Sequence, residues 1–290
     1  MKKSRKLATL GICSALFLGL AACQQQHATS EGTNQRQSSS AKVLWKASYT
    51  NLNNQVSTEE VKSLLSAHLD PNSVDAFFNL VNDYNTIVGS TGLSGDFTSF
   101  THTEYDVEKI SHLWNQKKGD FVGTNCRINS YCLLKNSVTI PKLEKNDQLL
   151  FLDNDAIDKG KVFDSQDKEE FDILFSRVPT EATTDVKVHA EKMETFFSQF
   201  QFNEKARMLS VVLHDNLDGE YLFVGHVGVL VPADDGFLFV EKLTFEEPYQ
   251  AIKFASKEDC YKYLGTKYAD YTGEGLAKPF IMDNDKWVKL

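Results

Sequence analysis

The sequence predicts an α+β fold on three observations. Apolar residues recur at helical spacing through the first two thirds of the 290-residue chain, and from residue 208 the pattern changes to short β-branched and aromatic runs. Asp218-Gly219 and Asp235-Gly236 separate those runs in the manner of tight hairpin turns, which makes the sheet an antiparallel meander. No linker, internal repeat or duplicated strand–helix–strand unit divides the stretch. Helices first and sheet afterwards therefore form one domain over residues 43–290, with a helical lobe at its N-terminal end.

Before that domain lie two segments of other character. Residues 1–22 read as an export signal, with Lys2, Lys3, Arg5 and Lys6 ahead of a short apolar run from Leu7 to Leu20. The run is too short to span a membrane in the mature protein. Leu20-Ala-Ala-Cys23 then resembles a lipobox, the processing signal of bacterial lipoproteins. That resemblance implies cleavage before Cys23 and a diacylglyceryl group on its sulfur, hence a membrane partner reached through lipid. Residues 23–42 are Gln, Ser, Thr, Asn and Gly with almost nothing apolar, a tether reaching ~25 Å as a random coil.

Within the domain, Ser57-Thr-Glu-Glu60 reads as a capping box opening a helix through Leu69, which Asp70-Pro71 ends. Val74, Phe77, Phe78, Val81 and Tyr84 form the stripe of a second helix over 73–88. Ser90 to Gly95 is glycine-rich but lacks a phosphate loop's lysine and spacing, so it reads as a turn. A helix is expected over 106–115, and another begins at Cys126. Asp153, Asp155 and Asp158 faintly suggest a calcium loop, but Asp158 stands where the loop's glycine belongs, and the stretch reads as a solvated acidic loop. Helices follow over 166–175 and 186–199, then strands over 208–213, 221–231, 237–245 and 249–254. Ser256 caps a last helix carrying Cys260, Tyr261 and Leu264.

Charge and cysteine count narrow the chemistry. Without the signal, 27 Lys and Arg face 40 Asp and Glu, a net of −13. An acidic surface repels phosphate backbones, so nucleic acid is not an expected partner. Once Cys13 is removed and Cys23 lipidated, Cys126, Cys132 and Cys260 remain, an odd number. On one helix Cys126 and Cys132 would sit ~9 Å apart, beyond disulfide reach. Cys132 and Cys260 stay open as a pair or as core thiols.

Cys126 is the candidate nucleophile. Gly123-Thr-Asn-Cys-Arg127 is a glycine turn with cap residues ahead of a helix, which places the thiol in a first turn beside unpaired backbone N–H groups. The positive helix end favours a thiolate there, and the same N–H groups suit an oxyanion. Its base is expected to be His226, in Gly225-His-Val-Gly-Val-Leu-Val231, and Glu241 on the next strand is expected to orient the imidazole. His214 is a weaker base because it stands at a strand end. His102, His112 and His189 lack partners at ligand spacing, so neither a zinc site nor any organic cofactor is implied.

A cysteine at a helix start, a histidine on a core strand and a polar residue on the adjoining strand make a papain-type arrangement. Gly225-His-Val-Gly-Val-Leu-Val, an acidic turn, then Phe-Leu-Phe-Val-Glu241 is similar to the NlpC-type papain-like peptidases and amidases of bacterial cell walls. The chain also resembles, over nearly its whole mature length, a family of Gram-positive lipoproteins catalogued as a domain of unknown function. The first resemblance implies a papain-like (NlpC-type) core, with the Cys126 helix packed on the sheet. It also implies thiol-dependent amide hydrolysis at the outer face of the cell membrane, on cell-wall peptides. The chain departs from it at Asn125-Cys-Arg-Ile, where those enzymes carry Asp-Cys-Ser-Gly; Arg127 there would either clamp a substrate carboxylate or pair with one of the chain's own acids, and Asn125 would stand by the oxyanion. The alternative from another class is a non-catalytic surface module that binds a wall component, peptide or host protein.

Overall fold

The computed structural model describes residues 46–100 and 103–290, all within one compact unit. The signal, Cys23 and the tether lie outside the described residues. No helix among the described residues is long and apolar enough to cross a membrane.

The chain opens with a strand, β1 (Ala47–Thr50), and a helix, α1 (Gln55–Ser66). The expected capping box is not what starts α1. Asn54 does, its Oδ1 accepting the Ser57 N–H at 2.9 Å, and Ser57 instead lies buried inside the helix. Asp70 and Pro71 have a second role besides ending the first helical stretch. Asp70 accepts the Ser73 N–H, and Pro71 occupies the first position of α2 (Pro71–Val88), where its missing N–H costs nothing. The stripe of α2 is buried as expected.

A short β2 (Thr98–Ser99) and α3 (Val107–Lys118), capped by Asp106, lead to α4 (Cys126–Leu134). After β3 (Val138–Thr139) comes a correction. The acidic stretch is a helix, α5 (Phe151–Gly160), and not a solvated loop. Its acids are occupied by cations: Asp153 by Arg127, Asp155 by Lys159 and Asp158 by Lys168. Spacing at 153, 156 and 157 buries one face, and that helical period was obscured by three aspartates. Then follow α6 (Ser165–Leu174), β4 (Val178–Pro179), α7 (Val186–Phe197) and β5 (Gln201–Phe202).

The meander is β6 (Arg207–Asp215), β7 (Tyr221–Ala233), β8 (Gly236–Lys242) and β9 (Tyr249–Phe254), antiparallel throughout. Beyond it stand α8 (Lys257–Lys267), capped by Ser256, and a hairpin of β10 (Phe280–Asp283) and β11 (Lys286–Val288). That hairpin was not expected, because runs of four and three residues carry little alternation. The sheet order is β11-β10-β6-β7-β8-β9-β1-β2, with β4 on β7 and a separate β3–β5 pair.

Both sheet faces are covered. Met208, Val227, Val229, Leu238 and Val240 pack with α1 to α7, so the N-terminal helices share one core with the sheet. Leu209, Val211, Leu230, Phe239 and Ile252 pack with α8 on the other face. Each buried aliphatic side chain contributes on the order of 1.5–3 kcal/mol, which fixes the register because a one-residue slip would exchange the two faces.

Candidate active site

The site forms where β7 has no strand partner on one side. The β8 ladder reaches from Ala233 only to Val229, and β4 pairs only with Tyr221 and Leu222. Helix α4 fills the interval. Arg127 Nη1 donates to the Val224 carbonyl at 3.0 Å, and Ser130 Oγ to that of Val227 at 3.2 Å. Two strand carbonyls are thereby satisfied by side chains of the helix that carries the thiol.

On its other side β7 bulges. The register against β6 shifts between Val211 and Val212, opposite His226 and Val224, leaving Gly225 as the extra residue. Gly225 has no room for a side chain, since a Cβ would stand 2.3 Å from Leu213 Cδ1. A bulge re-aims the next side chain, and here that is His226.

Three side chains meet at this point. Asn125 caps α4, accepting the Ile128 N–H at 3.1 Å, and so sets Cys126 in the first turn. The Cys126 thiol and the His226 imidazole are neighbours, each acting on the other's ionisation. His226 Nε2 meets Glu241 Oε2 at 2.6 Å. Because Nε2 is engaged by the carboxylate, Nδ1 is the nitrogen that faces the sulfur. Glu241 also accepts from the Tyr263 hydroxyl and lies 3.7 Å from Lys267 Nζ. Tyr268 stacks on the imidazole, ring centres 4.8 Å apart and 23° from parallel. The chain of contacts is nearly closed to solvent: Cys126 is 5 % exposed, and His226 and Glu241 1 % each.

Electrostatics separate this thiol from the others. Burial opposes ionisation of Cys126, but the charge and hydrogen bond of His226, then Arg127, outweigh it and lower its pKa. Burial likewise opposes His226, and the sulfur and Glu241 together raise it. Both shifts favour a thiolate–imidazolium pair. A helix start supplies only about 0.3–1 kcal/mol, so the imidazole contact is the deciding term. Glu241 falls to about 2 despite its burial, held by Lys267, His226 and Tyr263. Burial pushes Cys132 up to about 12 and Cys260 well above the thiol range. Both are free thiols buried in different clusters, Cys132 with the helices and Cys260 beneath α8, so the disulfide left open between them does not form.

Arg127 and Asn125 both turn to an acid of the chain. The Arg127 fork binds both oxygens of Asp153 at 2.9 and 2.7 Å, and Asn125 Nδ2 donates to the same carboxylate at 2.7 Å. Asp153 is fully buried and needs these donors. The guanidinium therefore secures α4 to α5 and β7 instead of standing open as a substrate clamp. The Asn125 amide is used at both ends. His214 meets no thiol: its Nε2 faces Glu220 at 2.7 Å and its Nδ1 accepts the Ala277 N–H at 3.1 Å. His189 is held by Thr180 and Thr183. Among the described residues no cluster of ligating side chains could hold a metal.

Sequence reasoning missed Tyr263, Lys267, Tyr268 and Asp153. Tyr263 and Lys267 are four apart on the last helix, a spacing that marks a shared face. Nothing local tied that face to Glu241.

Fold and site together define a mixed α+β protein with a cysteine at the mouth of a helix beside a hydrogen-bonded histidine–glutamate pair. Residues 48–288 match the family model described as Domain of unknown function (DUF4300), and the chain belongs to that family. No curated protein and no solved structure matches it.

Proposed function

We propose that this protein is a papain-like thiol hydrolase of amide bonds, lipid-anchored through Cys23 at the outer face of the cell membrane, with cell-wall peptides as its substrates. One observation carries the reading: a thiol at a helix start stands beside an imidazole that a buried carboxylate holds at 2.6 Å. In the reaction the Cys126 thiolate attacks the carbonyl carbon, forming a C–S bond and an oxyanion. Backbone N–H groups at the start of α4 hold the oxyanion. As the C–N bond breaks, His226 passes its proton to the leaving amine. Water, deprotonated by His226, then hydrolyses the thioester and restores the thiol. Glu241 keeps Nδ1 turned to the sulfur.

A second reading is favoured by the near-complete burial of the three residues. In it the protein is a non-catalytic surface module that binds a wall component, peptide or host protein, and the triad is a structural polar contact. Alkylation separates the two. For the hydrolase, iodoacetamide near neutral pH modifies Cys126 well before Cys132 and Cys260, and stem-peptide fragments of peptidoglycan are cleaved by the wild type but not by Cys126→Ala. Three equally inert thiols and intact peptides would leave only the binding module.

A further inference from the structure

Lys242 ends β8 beside Glu241, so their side chains project to opposite sheet faces. It is 1 % exposed. Its ammonium donates to the carbonyls of Thr244 and Phe245 at 2.7 and 3.1 Å, and to that of Glu247. The rings of Tyr84 and Tyr249 lie 4.3 and 5.3 Å from it. An ammonium has three N–H groups, and all three serve one turn of chain between β8 and β9. Glu246 and Glu247 attract it only at longer range, as does Cys126.

The turn wound around this charge supports the approach to the nucleophile. A Cβ on Gly123 would lie 3.5 Å from the Phe245 carbonyl that Lys242 binds. Thr124 Oγ1 is 3.3 Å from the Tyr249 hydroxyl, and the Tyr84 hydroxyl donates to the Glu246 carbonyl. Residues 123 and 124 therefore rest on the same rings and turn that enclose the ammonium. Burying a charge without an ion-pair partner costs several kcal/mol, and a methionine would occupy similar volume without that cost. Arg127 also lowers Cys126, but its own partner Asp153 acts on the sulfur in the opposite sense.

Resting on the thiol-hydrolase reading, we propose that Lys242 is a positioning residue for the nucleophile: its ammonium supplies positive potential at the Cys126 sulfur and clamps the 244–247 turn beneath the segment leading into α4. Burial draws the lysine's own titration down to about 7. Once deprotonated it has two N–H groups for three carbonyls, so the clamp loosens together with the loss of charge. The groups facing it are Tyr84 from α2 and Tyr249 from β9, and the charges acting on it at longer range are Glu246 and Glu247 from the turn and Cys126 from α4.

The test is the pH profile of Cys126 alkylation by iodoacetamide in wild type, Lys242→Met, Lys242→Arg and His226→Gln. Lys242→Met is expected to raise the midpoint by about half to one pH unit, which is roughly three- to tenfold slower alkylation at pH 6. Lys242→Arg, which keeps the charge, is expected to restore most of the rate. A purely structural lysine would lower the melting temperature of Lys242→Met and leave the midpoint in place, which overturns the proposal. If His226→Gln also leaves it in place, the hydrolase reading falls as well. A second measurement needs no lysine variant. Coupling is reciprocal, so capping Cys126 with acetamide in the wild type must lower the Lys242 titration midpoint, followed by NMR of 13Cε-labelled lysine. An unmoved lysine midpoint also overturns the proposal.

Discussion

Two histidine–glutamate pairs have their histidines on neighbouring strands, His214 of β6 with Glu220 and His226 of β7 with Glu241, at nearly equal separations of 2.7 and 2.6 Å. What separates them is the third partner. His214 gives its other nitrogen to a backbone N–H at Ala277, so the ring serves the course of the chain between α8 and β10. His226 gives its other nitrogen to a thiol. The carboxylates differ as well, because Glu241 is shut from solvent while Glu220 is partly exposed. A histidine–carboxylate pair alone is thus no sign of reactivity; the group on the far nitrogen decides what the ring can do.

The largest expected effect breaks that contrast directly. His226→Gln should slow Cys126 alkylation at pH 6 by at least about tenfold, since one unit of thiol pKa is a factor of ten. His214→Gln should leave the rate unchanged, and peptide mapping by mass spectrometry reads both. Equal effects from the two would remove the distinction.

Next is the acid limb of stability. Glu241 is depressed in the folded protein, so its contribution is present above the unfolded value of 4.5 and is lost as pH falls toward about 2. Glu241→Gln should flatten the pH dependence of urea unfolding over that window. His226 runs in the opposite sense. Its raised value gives stability that is full below 6.5 and declines as pH rises through its folded value.

Smaller is the cost of His214→Ala, which strands the Ala277 N–H. A loss of about 1–3 kcal/mol in chemical denaturation is expected, with Cys126 reactivity intact. The smallest change is Ser256→Ala at the cap of α8. It should cost about 1 kcal/mol, measured the same way, and if Tyr263 and Lys267 stay on Glu241 the alkylation rate will not move.

The legible parts of this molecule were local ones. The Asn125 and Ser256 caps act within three residues of themselves, and the stripe of α2 and the turns at Gly219 and Gly236 are equally short-range. These signals survive in the sequence because the groups they join are chain neighbours. Where one local signal competed with another, reading failed. Ser57 and Asn54 both suit a cap, and three aspartates hid the helical period of α5.

By itself, then, the sequence determined most of the helices, the antiparallel meander, and the identity of Cys126, His226 and Glu241 as residues suited to one another. Only the tertiary structure decided that they meet. That contact depends on β8 ending before His226, on a bulge at Gly225, and on α4 filling the space left beside β7. It likewise decided that Arg127 serves Asp153, because a buried carboxylate takes the nearest fork of donors. Strand ends, bulges and buried ion pairs arise from packing between segments far apart in the chain, which no stretch of a few residues encodes.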